Sequence, residues 1–118
     1  MSNNIINYQM NTVDTINATI LSGAGISESI SLSGTTLVGL IRPASVTGGF
    51  INFSVSRDGT NFYDLEDTQG NLISVALSSA SRATRLFPTD FYPWRFVKIK
   101  TDQNQVANIT FTLIPAPL

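Results

Sequence analysis

Three observations predict an all-β chain, folded as an antiparallel, jelly-roll-like β-sandwich of about eight strands. Short runs of alternating apolar and polar residues recur along the chain, and Gly, Pro, Asn and Asp punctuate them at turns. No stretch carries a convincing amphipathic helical period, and charged residues make up only 13% of the chain, which leaves Ser, Thr, Asn and Gly to cover its surface. With 118 residues there is length for one core and not for two.

Residues 1–12 are polar and Asn-rich, with Ile5, Ile6, Tyr8 and Met10 scattered among them, and read as an extended arm. The sandwich itself spans residues 13–114. Residues 13–21 form a first strand, closed by the small residues Ser22, Gly23, Ala24 and Gly25. Over residues 26–32 serine occupies the odd positions 27, 29, 31, while Ile26, Ile30 and Leu32 share the other face, with Glu28 as the exception. That alternation predicts a half-buried strand.

Ser33, Gly34 and Thr35 turn the chain into an apolar run over residues 37–41, and Pro43 stops it by removing a ladder donor. Thr47, Gly48 and Gly49 lead into residues 50–56, where Ile51, Phe53 and Val55 face one way. Asp58 and Gly59 follow as the tip of a tight hairpin, because glycine takes positive φ without a Cβ clash and Asp bonds its own turn backbone. Residues 62–65 pair back on that strand, and a turn at residues 68–71 precedes a strand with Ile73, Val75 and Leu77 on one face.

Residues 78–85, rich in Ser, Ala and Arg, read as a loop entering a short strand at residues 84–87. Residues 95–101 and 108–114 are the last two strands, with Ile109, Phe111 and Leu113 alternating. The tail at residues 115–118, Pro-Ala-Pro-Leu, is expected to leave the sheet, since proline donates nothing to a ladder.

The composition excludes most catalytic chemistry. There is no histidine and no cysteine, so Ser-His-Asp and Cys-His arrangements, thiolate or imidazole metal sites and disulfides are ruled out. A carboxylate pair drawn from the eight acidic residues is the remaining catalytic option, but most of these acids sit in turns, where solvated loop acids are the simpler reading. Asp58, Asp64, Glu66 and Asp67 lack the spacing of a calcium loop and read as a charged edge that discourages sheet-to-sheet pairing. The expectation is a non-enzyme with no catalytic residue, cofactor or metal.

Arg82, Arg85, Arg95, Lys98 and Lys100 lie near Phe87, Phe91, Tyr92, Trp94 and Phe96, an interleaving that serves single-stranded nucleic acids elsewhere. Trp94 and Phe96 read instead as core residues, and a formal net charge of -1 argues against a nucleic-acid partner. No stretch is long and apolar enough for a membrane span, and the first residues carry no basic, apolar signal pattern.

Two resemblances meet in these motifs. Ser56, Asp58, Gly59 and Phe62, followed by Arg95, Phe96, Val97 and Lys98, resemble the pattern of discoidin-type, galactose-binding-like domains. The resemblance implies a jelly roll. It transfers no ligand site, because the framing cysteine pair and the ligand loops of those domains have no counterpart in this chain.

Residues 33–40, Pro43, Gly48 and Gly49, residues 56–65, 67–70, 88–91, 95–99 and 105–110 together resemble short proteins of tailed bacteriophages and prophages that look like capsid decoration or cement proteins. That resemblance implies a non-enzymatic virion structural protein that stiffens the shell by bridging subunits of the major capsid protein. It would be assembled in the host cytoplasm and carried on the capsid surface. A homotrimer is expected from the threefold positions of capsid lattices, and the arm side chains Ile5, Ile6, Tyr8 and Met10 are the expected partner-binding residues. The alternative is a carbohydrate-binding module of a tail tip or fibre, its glycan stacked on Tyr63, Tyr92 or Trp94.

Overall fold

The computed structural model describes residues 15–77 and 82–118. Among the described residues nine strands and one helical turn follow one another: β1 (Ile16–Ile20), β2 (Ile30–Ser31), β3 (Thr35–Ile41), β4 (Phe50–Ser56), β5 (Tyr63–Asp64), β6 (Ser74–Ala76), β7 (Ala83–Arg85), α1 (Pro88–Phe91), β8 (Phe96–Thr101) and β9 (Ile109–Pro117). They build two antiparallel sheets, one ordered β1-β9-β3-β7 and the other β2-β8-β4-β5, with β6 also paired to β4. From β1 to β4 the chain changes sheet at each connection, and it does so again from β6 to β9. The result is an antiparallel β-sandwich with the jelly-roll habit of alternating between layers.

The inner faces carry the core. Ile51, Phe53 and Val55 of β4 meet Val97 and Ile99 of β8 in one layer, and Ala18, Ile20, Leu37, Leu40, Phe111 and Leu113 fill the other, all essentially inaccessible to water. Phe91, the buried residue of α1, packs edge-on against Phe53 with ring centroids 5.0 Å apart and planes at 84°. This T-shaped geometry adds about 1 kcal/mol to what burial alone provides.

Leu37 and Leu40 are three residues apart, so a regular strand would point them to opposite faces. Both are buried because β3 carries a bulge: Leu37 pairs with Pro115, Gly39 with Ile114, and Val38 is left over. The Val38 carbonyl accepts instead from Leu86 N at 3.1 Å. Gly39 permits the close approach, since a Cβ there would lie 3.2 Å from Ile114 Cγ1.

Four expectations are corrected. The strand predicted over residues 26–32 shrinks to Ile30–Ser31 and an isolated bridge from Ile26 to Lys100. Around this bridge the facing is inverted: Ile26 is exposed and Ser27 is buried, because Ser27 bonds Ile99 twice, its N–H donating to Ile99 O and its Oγ accepting from Ile99 N, each at 2.9 Å. A serine that satisfies both itself and a backbone amide is accepted inside.

The tail does not leave the sheet. β9 continues to Pro117, with Pro115, Ala116 and Pro117 opposite Leu37, Thr36 and Thr35. Leu118 N donates to Gly34 O at 3.1 Å. Peptide groups alternate in direction along a strand, so Ala116 also faces β3 while Pro115 and Pro117 turn their donor-less nitrogens the other way.

Trp94 and Phe96, expected in the core, are only half-buried at one end of the sandwich. The strand expected at residues 84–87 lies at Ala83–Arg85, after which Pro88 starts α1.

Candidate binding groove

The arm residues Ile5, Ile6, Tyr8 and Met10 lie outside the described residues. The other marked positions, Asp58 and Gly59, sit in the loop that joins β4 to β5. This loop is wider than a two-residue hairpin, since Val55 pairs with Tyr63 and residues 57–62 are unpaired. The Asp58 carboxylate organises it. Its Oδ1 accepts from Thr60 N and Asn61 N at 2.8 Å each and from Ser56 Oγ at 3.0 Å, while Oδ2 accepts from Asn61 Nδ2 at 2.8 Å. The fully buried Ser56 returns the favour, its Oγ accepting from Gly59 N at 2.9 Å.

These donors, the Asn61 and Thr60 amides foremost, hold the Asp58 carboxyl well below the usual carboxylate range. Gly59 has φ +81, and its missing Cβ leaves room for the Phe96 ring 3.3 Å away. The Ser-x-Asp-Gly motif thus sets a loop against an aromatic ring on the neighbouring strand.

Phe96 belongs to an open groove of about 810 Å³ at this end of the sandwich. Tyr92, Trp94 and Phe96 supply aromatic surface, Arg57 and Arg95 positive charge, and Ser31 and Ser33 hydroxyls. Tyr92 is 61% exposed, whereas Trp94 rests partly on the core. Arg57 Nη1 donates to Pro93 O at 3.3 Å and so braces the segment that presents Trp94. The sequence marks Tyr92 and Trp94 but not Arg57, Ser31 or Ser33, which belong to the loop after β4 and to β2 with the turn that follows it, and which only the sandwich brings to one end.

Three other basic residues are engaged elsewhere. Lys100 Nζ pairs with Asp64 at 2.8 Å, Lys98 lies over Phe62 at 4.2 Å and Arg85 over Phe87 at 5.4 Å. These local contacts break up the basic-aromatic series of the sequence and leave Arg57 and Arg95 as the cations of the groove. Tyr63 is 64% exposed and is not among the groove residues.

At the opposite end, beyond the last residue of β3 and the first of β9, Leu21 and Val106 stand out from their loops with 59% and 82% of their surface exposed. Their loops are tied together: Gly23 N donates to Gln105 O at 2.7 Å, Ser22 Oγ to Val106 O at 3.2 Å, and Ser22 N to Asn108 Oδ1 at 2.8 Å. Beside them, Ala44, Val46, Ala107 and Ile109 line a shallow groove of about 370 Å³.

No protein-family model and no curated protein matches the chain. Among solved structures, the C-terminal domain of a chitobiase from Bacteroides fragilis is similar, at 14% identity and a TM-score of 0.44. The match covers 79% of this chain and 62% of that one. At that distance it carries no argument about ligand or activity. Among the described residues no group of three or more Asp or Glu is placed to hold a metal ion, and no helix is long and apolar enough to cross a membrane.

Proposed function

We propose that the protein is a non-enzymatic structural component of a tailed-phage virion that decorates the capsid and bridges neighbouring major capsid protein subunits, as a homotrimer. The observation that carries this reading is the apolar end of the sandwich. Leu21 and Val106 are large apolar side chains left mostly exposed on a cross-tied pair of loops, and exposed apolar surface on a hydrogen-bonded base is what a protein contact needs. The phage-like order of motifs from Ser33 to Thr110 supports the same reading.

The test is a reconstruction of the parent particle together with a rebinding assay on stripped capsids. The sandwich is expected on the capsid surface with its Leu21 and Val106 end against the shell, and Val106→Asp is expected to fold normally but lose occupancy. Density for this chain only in the tail, or its absence from the virion, sinks the proposal.

A further inference from the structure

At the end of the sandwich opposite Leu21 and Val106, we infer that the Trp94 groove is a binding site for an acidic saccharide, a sugar chain that carries carboxylates. The chemistry of the lining argues for it. Sugar rings present a C–H face that stacks on aromatic surface, and Tyr92 and Trp94 offer that surface at the mouth of the groove. Hydroxyls need short polar partners, which Ser31 and Ser33 supply.

The charge points to an acidic ligand. Two guanidiniums, Arg57 and Arg95, line the groove, and among the described residues neither has a carboxylate within ion-pair distance. Asp58, an ionised side chain among the lining residues, spends its oxygens on four hydrogen bonds from its own loop and the adjoining Ser56 and pairs with neither guanidinium, so both forks stay open to a ligand carboxylate. A planar guanidinium fork suits a carboxylate in particular.

Backbone conformation adds an independent observation. Ser33 has φ +47, and among the described residues it is the one non-glycine with positive φ. It precedes Gly34 at φ +78 in a turn closed by Thr35 N donating to Leu32 O at 3.0 Å. Two positive φ values mark the mirror-image hairpin turn, where Asn-Gly is the favoured pair. Serine is a poor choice there for stability, yet its Oγ shares a 2.9 Å hydrogen bond with Ser31 Oγ on the rim of the groove. A residue held in strained backbone at a cleft fits a ligand-facing role.

Trp94 is the chain's single tryptophan, so its fluorescence reports on the groove directly. The full-length protein should be titrated with a glucuronate-containing tetrasaccharide and with sialyllactose, against lactose and diacetylchitobiose as neutral counterparts. The acidic sugars are expected to change Trp94 emission saturably, at least about tenfold more tightly than the neutral ones, with affinity falling as salt is raised. Arg95→Ala should weaken that binding about tenfold with an unchanged melting temperature. Ser33→Asn should keep or raise the melting temperature while weakening binding, which separates a ligand role from a structural one.

No saturable response to any of the four sugars overturns the inference, and so does equal affinity for acidic and neutral ones. Binding of an oligoglutamate peptide without binding of the acidic sugars also overturns it, and would make the groove a peptide site. None of these outcomes bears on the capsid contact at the other end, which has its own assay.

Discussion

The side-chain amide of Gln105 pairs with the backbone of Thr47 in both directions: Nε2 donates to Thr47 O at 2.8 Å, and Oε1 accepts from Thr47 N at 2.9 Å. A buried side chain thereby stands in for a strand residue and joins the loop after β3 to the loop before β9. Gln105 is 2% exposed, so neither Thr47 group has water as a ready substitute on that side. Gln105→Leu should destabilise the fold by about 2 to 4 kcal/mol, because it leaves a donor and an acceptor unmet. Urea unfolding measures this, and a loss under about 0.5 kcal/mol would mean that water replaces the amide.

Gly59 and Gly70 form a matched pair. Both have positive φ, +81 and +83, but a Cβ at Gly59 meets Phe96 at 3.3 Å whereas at Gly70 nothing lies within 4 Å. Alanine at either position should cost about 1 kcal/mol for the backbone conformation. Valine at Gly59 should cost clearly more than valine at Gly70, the excess reporting the Phe96 contact. Equal losses in thermal melts would show that the ring moves aside freely.

Stability should fall in acid for an identifiable reason. Amide donors hold the carboxyls of Asp58 and Asp67 below the ordinary range, the Asn61 amide foremost for Asp58 and the Asn71 amide for Asp67. A group whose folded pKa is depressed contributes stability above its unfolded pKa and loses it as pH falls toward the folded one. The loss should therefore begin below about pH 4. Asp90 acts in the opposite sense, since burial and then the nearby Asp67 charge raise its pKa, and it favours the fold as it protonates. Asp58→Asn should flatten the acid limb of a stability profile taken from pH 7 to 2. An unchanged limb would place the acid sensitivity elsewhere.

The end of β9 offers a test of strand facing. Pro117→Ala should change stability by less than about 1 kcal/mol, because that position faces away from β3 and gives up no ladder bond. Ala116→Pro should cost more than about 1 kcal/mol, because it removes a donor on the β3 side and strands an acceptor there. The reverse order in denaturant melts would invert the facing deduced from the Leu118 to Gly34 bond.

Truncating the core aromatic provides a reference scale. Phe53 is fully buried and edge-packed on Phe91, so Phe53→Ala should lose about 3 to 5 kcal/mol. A much smaller loss would mean that α1 collapses into the space.

Alternation along single strands was legible in the chain. Ile51, Phe53 and Val55, or Ile109, Phe111 and Leu113, announce their shared face because side chains repeat every two residues, and that local rule survives in both sheets. Ser56, Asp58 and Gly59 were legible as a turn for a similar reason, since the bonds of Asp58 close within a few residues, but the expected tight hairpin was not formed, because Val55 pairs with Tyr63 across a wider loop. Partners far apart in the chain were not. Ser27 is inside because Ile99 needs it, Gln105 because Thr47 does, and Pro115 and Pro117 remain in the ladder because their nitrogens happen to face away from β3. The groove has the same origin. Ser33, Arg57, Trp94 and Arg95 belong to three separate connections, and only the stacking of two sheets brings them to one end. Sequence alone determined the all-β class, the inner faces of regular strands such as β4 and β9, and the exclusion of histidine and cysteine chemistry, since these depend on residue type and local spacing. Tertiary structure decided which polar groups are buried and which side chains meet, since those depend on hydrogen bonds and contacts between residues distant along the chain.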